Sequence, residues 1–225
     1  MYIKINYVEK GSGVPLILLH GNGENLEYFN HQIDFFSKYY RVIAIDTRGH
    51  GKSERGTKPF TIKQFAEDLK EFSDEMGIKK AILLGFSDGG NIALTFALKY
   101  GDYVEKLILN GANLYPKGVK LTVQLPIYLG YGLCSIISLF SKKVVNNKEL
   151  LGLMVKEPNI SKEELNSINI RTLVIVGSND MIKEKHSKEI SENIKNSVFT
   201  IIKGDHFIAN KEYEEFNKKV FEFLK

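Results

Sequence analysis

The sequence predicts an α/β chain, with a mostly parallel, doubly wound sheet, helices on both faces and a short helical insertion late in the sheet. Three observations carry that expectation. Short apolar runs alternate with longer segments of helical period. Several of the runs are apolar at nearly every position, as strands buried on both faces must be. One interruption of roughly 60 residues is far too long for an ordinary connection.

The expected strands are Pro15–His20, Arg41–Asp46, Ala81–Phe86, Lys106–Asn110, Thr172–Gly177 and Val198–Lys203. Between them, helices are expected over Leu26–Tyr39, Ile62–Met76, Gly89–Tyr100, Glu184–Ile194 and Glu212–Leu224, where apolar residues recur at three- and four-residue steps. Phe65, Leu69, Phe72 and Met76 illustrate the spacing. The predicted division is a core of residues 1–112 and 171–225 with a helical cap inserted at 113–170.

Within that cap the stretch Leu121–Phe140 has no charged side chain and approaches the length of a membrane span. A span there would separate Ser87 from Asp180 and His206, which the chemistry below needs together. Pro126, Gly130 and Gly132 point instead to a broken helix pair packed over the sheet edge. No membrane span is expected.

Composition narrows the class further. With 43% hydrophobic and 26% charged residues, a chain of 225 is suited to one domain with a sizeable core. The single cysteine, Cys134, permits no intramolecular disulfide and favours a reducing, cytoplasmic location. The start Met1–Tyr7 alternates apolar and polar residues, unlike a signal peptide. The net charge of +4 comes from lysines spread beside acids rather than from blocks, so no nucleic-acid partner is expected. Nothing has the spacing of metal ligands, and no cofactor is implied. The oligomeric state is open.

The densest local signal is Gly85-Phe86-Ser87-Asp88-Gly89-Gly90, between an apolar run and a helical one. A serine on such a strand-to-helix turn exposes its hydroxyl, and the residues two before and two after it must be small. Serine needs a base to act as nucleophile. Of the five histidines, His206 in Gly204-Asp205-His206-Phe207 lies just past the last strand, on the edge where Ser87 also falls. His31 and His186 read as surface residues of helices, His50 as a turn-fixing residue, and His20 as a buried histidine satisfying loop amides. Asp180, just past Thr172–Gly177, is the expected partner of the base, in preference to Asp205, whose side chain should point away from its neighbour. The turn His20-Gly21-Asn22-Gly23 can aim the Asn22 amide at a reacting carbonyl and, with the Asp88 amide, form a two-donor oxyanion hole. Asp88 itself is expected to cap the following helix or to meet a cationic group on a substrate.

Together these residues resemble the α/β-hydrolase superfamily, of serine esterase or lipase type. His20–Gly23 is similar to its oxyanion turn, Asp46-Thr47-Arg48-Gly49-His50-Gly51-Lys52-Ser53 to its D-x-R-G-x-G-x-S loop, and Gly85–Gly89 to its nucleophile elbow. The resemblance runs from about Val8 onward and implies that Asp46–Ser53 is structural, that the segment from Asn113 to about Ile168 is the variable cap, and that the first strand of the usual sheet is absent or abbreviated. The Ser87-Asp88-Gly89-Gly90 elbow also looks like that of the valacyclovir-hydrolase-like branch, which takes esters of amino acids. The expected activity is hydrolysis of a small or medium carboxylic ester through an acyl-enzyme, with Ser87, His206 and Asp180 as triad. Leu121, Leu125 and Leu129 would wall an apolar acyl pocket. The alternatives are the same triad acting on a thioester, a lactone or a carbon–carbon bond, or a non-catalytic ligand receptor.

Overall fold

The computed structural model describes residues 3–225; Met1 and Tyr2, the first residues of the alternating start, lie outside it. Its strands are β1 (Tyr7–Lys10), β2 (Pro15–Leu19), β3 (Arg41–Ile45), β4 (Ala81–Phe86), β5 (Val104–Asn110), β6 (Arg171–Gly177) and β7 (Ser197–Ile202). They form one sheet in the order β1-β3-β2-β4-β5-β6-β7. Only β1 is antiparallel to its neighbour, through Tyr7 opposite Ile45 and Lys10 opposite Val42. The helices are α1 (Asn30–Phe36), α2 (Ile62–Glu75), α3 (Asp88–Lys99), α4 (Leu121–Ile137), α5 (Val145–Lys156), α6 (Lys162–Leu165), α7 (Glu184–Glu192), α8 (Ile208–Lys211) and α9 (Tyr213–Leu224).

The two-residue period of a strand explains why these runs must be apolar throughout. In β2, Ile17 and Leu19 join one core layer with Phe65 and Leu69 of α2 and Ile92 and Phe96 of α3. Leu16 and Leu18 face the other way, against Ile33 and Phe36 of α1 and Phe216 and Val220 of α9. Central strands sandwiched in this manner leave no solvent face, so alternation disappears from their sequence. β1 has no apolar run to mark it in the sequence because it is an edge strand with no fully buried position.

Three helices, α4, α5 and α6, occupy the connection between β5 and β6. The expected break at Pro126 does not occur: α4 is a single helix from Leu121 to Ile137. Pro126 falls in the second turn, where its missing N–H removes one hydrogen bond near the end of the helix rather than in the middle. Gly130 faces α5, where a Cβ would sit 3.4 Å from Leu151 Cδ1, so it permits close packing and not a kink. Gln124 Nε2 donates to Met154 O across the same pair at 2.9 Å.

The expectation that the leucines of α4 pack inward or wall a pocket also fails. Leu121, Leu125 and Leu129 are 69%, 52% and 68% exposed. A helix that is apolar on every side carries no periodic signal of which side is covered, and here only the side toward α5 is. No helix among the described residues is long and apolar enough to cross a membrane.

Candidate active site

The elbow at Ser87 is built by close approach. Ser87 has φ 54° and ψ −120°, the one non-glycine residue with positive φ among those described. Its amide donates to Asn110 O at 2.8 Å, pinning the turn to the neighbouring strand. A Cβ on Gly85 would lie 2.2 Å from Gly89 O, and one on Gly89 would lie 1.9 Å from Leu19 O. Both positions are therefore closed to any side chain, which is why the strained conformation persists. Asp88 starts α3 one residue after the cap position, and it makes no backbone capping bond. The capping expectation is thus corrected. Its Oδ1 accepts from Asn91 Nδ2 at 3.1 Å, while Oδ2 is buried with no partner. Burial pushes its carboxyl up to about 6, against the pull of the Asn91 hydrogen bond.

At the same sheet edge, His206 Nδ1 lies 2.7 Å from Asp180 Oδ1. Asp180 Oδ1 also accepts from Ile182 N at 2.8 Å, so the carboxylate is held by its own loop as well as by the ring. With Nδ1 facing a carboxylate, the proton belongs on that nitrogen, and Nε2 carries the free lone pair. Nε2 is buried and has no hydrogen-bond partner, the Ser87 hydroxyl included. Asp205 is committed elsewhere, accepting from Phe207 N at 2.8 Å and from Lys211 Nζ at 2.5 Å.

The turn His20-Gly21-Asn22-Gly23 follows β2. Neither the Asn22 nor the Asp88 main-chain amide has a hydrogen-bond partner among the described residues. The Asn22 side chain is used differently, donating to Leu150 O of α5 at 2.8 Å and tying the helical insertion to the turn. His20 is buried, as expected: Thr47 N donates to its Nε2 at 3.0 Å, which leaves Nδ1 to donate to Gly21 O at 2.7 Å. Burial pushes its pKa down to about 4, so the ring is neutral and serves the loop. His50 sits within 3.0 Å of both Arg48 O and Thr47 Oγ1, in keeping with a turn-fixing role. His186, in contrast, is not a surface residue. It is 4% exposed and accepts from Leu114 N at 2.9 Å, bracing the chain where it leaves β5.

Two residues beside these atoms escaped the sequence reading. Glu24 Oε2 accepts from Gly21 N at 3.2 Å at the base of the glycine turn after β2. Burial pushes its carboxyl up to about 7, opposed by the Gly21 amide and by His206 nearby. Gly111, at φ +63°, lies under the histidine: a Cβ there would be 2.7 Å from His206 Cε1 and 2.9 Å from Nδ1. Positive φ leaves no signature in a single sequence, although a glycine directly after a strand end is its usual carrier. Phe86, stacked on Tyr28 at 4.3 Å, completes the wall with its ring centroid 4.8 Å from that of His206.

A family model described as alpha/beta hydrolase fold matches residues 14–130, more than half the chain. The chain belongs to the α/β-hydrolase fold family. A second model, described as serine hydrolase (FSH1), matches residues 134–217. Among α/β-hydrolase relatives, the human serine hydrolase BPHL is 28% identical over 246 residues, covering 99% of this chain and 83% of that protein. An enol-lactonase from Burkholderia xenovorans superposes with TM-score 0.83 at 21% identity, over 99% of this chain and 96% of the other. A thermophilic esterase from Thermogutta terrifontis gives TM-score 0.81 at 23% identity, over 99% and 93%. At these identities the two structures speak for the fold, and the family matches for hydrolytic activity.

Proposed function

We propose that the protein is a serine hydrolase that cleaves a small or medium carboxylic ester, with Ser87 as nucleophile, His206 as general base and Asp180 orienting the base. The observation that carries this reading is His206 itself, its Nδ1 engaged by Asp180 at 2.7 Å and its Nε2 buried and free. A neutral imidazole held in that tautomer can accept only at Nε2. The strained Ser87 supports the nucleophile's role, since a backbone with φ 54° persists only where surroundings enforce it. His206 takes the hydroxyl proton as Ser87 attacks, and the free Asn22 and Asp88 amides receive the developing oxyanion. The leaving alcohol takes the proton from His206, and water then releases the acyl group by the same route.

A substrate bearing an ammonium group is a second reading, favoured by one atom. Asp88 Oδ2 is buried without a partner next to the nucleophile, and at neutral pH the group is ionised, because its raised pKa still lies near 6. A cation placed there would satisfy it.

Hydrolysis of a chain-length series of p-nitrophenyl esters, run beside amino-acid p-nitrophenyl esters, tests both. Ser87→Ala and His206→Ala should each lower kcat on the order of 10⁶-fold. Equal rates in wild type and Ser87→Ala would refute the assignment. For the second reading, Asp88→Asn should raise KM for the amino-acid esters alone; an equal effect on both series would refute it.

A further inference from the structure

A helix in contact with water normally presents charge on its outer side. The outer side of α4 presents none. Leu121, Leu125, Leu129, Leu133 and Ile136 follow one another along it, each at least half exposed, and Phe140 just beyond the helix is 87% exposed. In a helix these positions fall on one stripe, running the whole length of α4. Scattered surface leucines need no explanation, but a continuous stripe marks a surface that meets something.

Charge says what it meets. None of the chain's 27 acidic residues lies between Lys106 and Lys148. Lys120 stands at the start of α4, and Lys142 and Lys143 follow its end. Neither these nor Lys117 pairs with a carboxylate among the described residues. The apolar stripe is therefore bracketed at both ends by unneutralised cations on long flexible stems. Against a second copy this arrangement is unfavourable. Antiparallel pairing of α4 with α4 sets Lys120 of one copy against Lys142 and Lys143 of the other, with no acid to offset them. Against an anionic lipid surface it is complementary: the stripe enters the acyl boundary and the lysines reach back to the headgroups.

We propose that the outward face of α4, with Lys120, Lys142 and Lys143, docks the protein on anionic membrane surfaces. The helix lies in the interface and does not cross it, because its inner side is held to α5 through Gln124 and Met154. Docking of this kind sets α4 against the lipid, with α5 and its Asn22–Leu150 bond to the turn after β2 directly behind it.

Vesicle co-sedimentation reads the proposal without any turnover. The wild type should sediment with phosphatidylcholine vesicles enriched in phosphatidylglycerol and not with phosphatidylcholine alone, and added salt should weaken the binding. Leu133→Asp with Leu139→Asp, the second beside Phe140 just past the helix and 76% exposed, should reduce binding at least about tenfold, since both side chains would leave the lipid as charges. Lys142→Glu with Lys143→Glu, fully on the surface, should do the same at roughly fivefold or more per site. Far-ultraviolet dichroism and hydrolysis of a short soluble ester should be unchanged in both variants. Absence of binding to either vesicle, equal binding to both, or binding that ignores both variants would overturn the proposal. So would a wild-type dimer in sedimentation velocity that Leu133→Asp with Leu139→Asp converts to monomer.

Discussion

Replacing Gly111 by alanine adds one carbon beneath His206 and tests whether the ring's position governs turnover. The new Cβ would stand 2.7 Å from Cε1 and 2.9 Å from Nδ1, about 1 Å short of ordinary carbon contact. The ring cannot yield toward its carboxylate partner, because Asp180 Oδ1 already lies 2.7 Å from Nδ1. The imidazole must move by about 1 Å on the side away from Gly111, and a displacement of that size costs about 100-fold in rate. Separately, alanine at φ +63° destabilises the fold by roughly 1–2 kcal/mol. Gly77 separates the two effects. It has φ +66° and nothing within 4 Å of its would-be Cβ, so Gly77→Ala carries the backbone cost alone. Kinetics on a p-nitrophenyl ester, paired with thermal melts, should show both variants destabilised, Gly111→Ala the more so by its added contact with the ring, and only Gly111→Ala slowed about 100-fold. Turnover in Gly111→Ala within about twofold of wild type would refute the reasoning, because a ring that shifts that far without consequence is not the base.

Glu24 predicts a pH effect. Its carboxyl is neutral below about 7 and ionised above, so a negative charge appears beside the oxyanion turn as pH rises. That charge opposes the developing oxyanion, and the kcat/KM of Glu24→Gln relative to wild type should climb between pH 6 and pH 8; a ratio that is flat across this range counts against it. Arg48 is fully buried and paired with Asp68 of α2 through Nε at 2.6 Å, inside the loop that the sequence marks as structural. Asp68→Ala leaves that charge uncompensated and should cost roughly 3–5 kcal/mol. A melting temperature lowered by roughly 10 °C would agree, and a shift of under about 2 °C would not. The part-buried pair of Arg55 with Glu149, which water still reaches, should by contrast contribute about 1 kcal/mol, so Glu149→Ala should melt within a few degrees of wild type.

The central parallel strands β2 to β6 were readable in the sequence because burial on both faces demands runs of apolar residues, as in Leu16–Leu19 and Ala81–Leu84. β7, a largely uncovered edge strand, showed instead through its β-branched and aromatic run. That Ser87, Asp180 and His206 come to one edge of the sheet was readable for a related reason. Each follows a strand end, and a parallel sheet brings its strand ends to one edge. What the sequence concealed depends on information that residue type does not carry. β1 has no fully buried position and so shows no buried face. Leu121, Leu125 and Leu129 belong to a helix apolar on all sides, and only tertiary packing decides which side α5 covers. His186 looked like one more polar residue of α7, yet it caps Leu114 from seventy-odd positions away, a long-range bond without a local cue. Gly111 and Glu24 act through contacts with His206 and Gly21 that exist only once the turn has closed.

The central claim is that Ser87 attacks the substrate with His206 as its base. Labelling with a fluorophosphonate, followed by intact mass and peptide mapping, addresses it most directly. One adduct on the peptide carrying Ser87 in the wild type, abolished in Ser87→Ala and slowed by orders of magnitude in His206→Ala, is the result this account predicts. A stoichiometric adduct on another residue, or equal labelling of the wild type and His206→Ala, would contradict it.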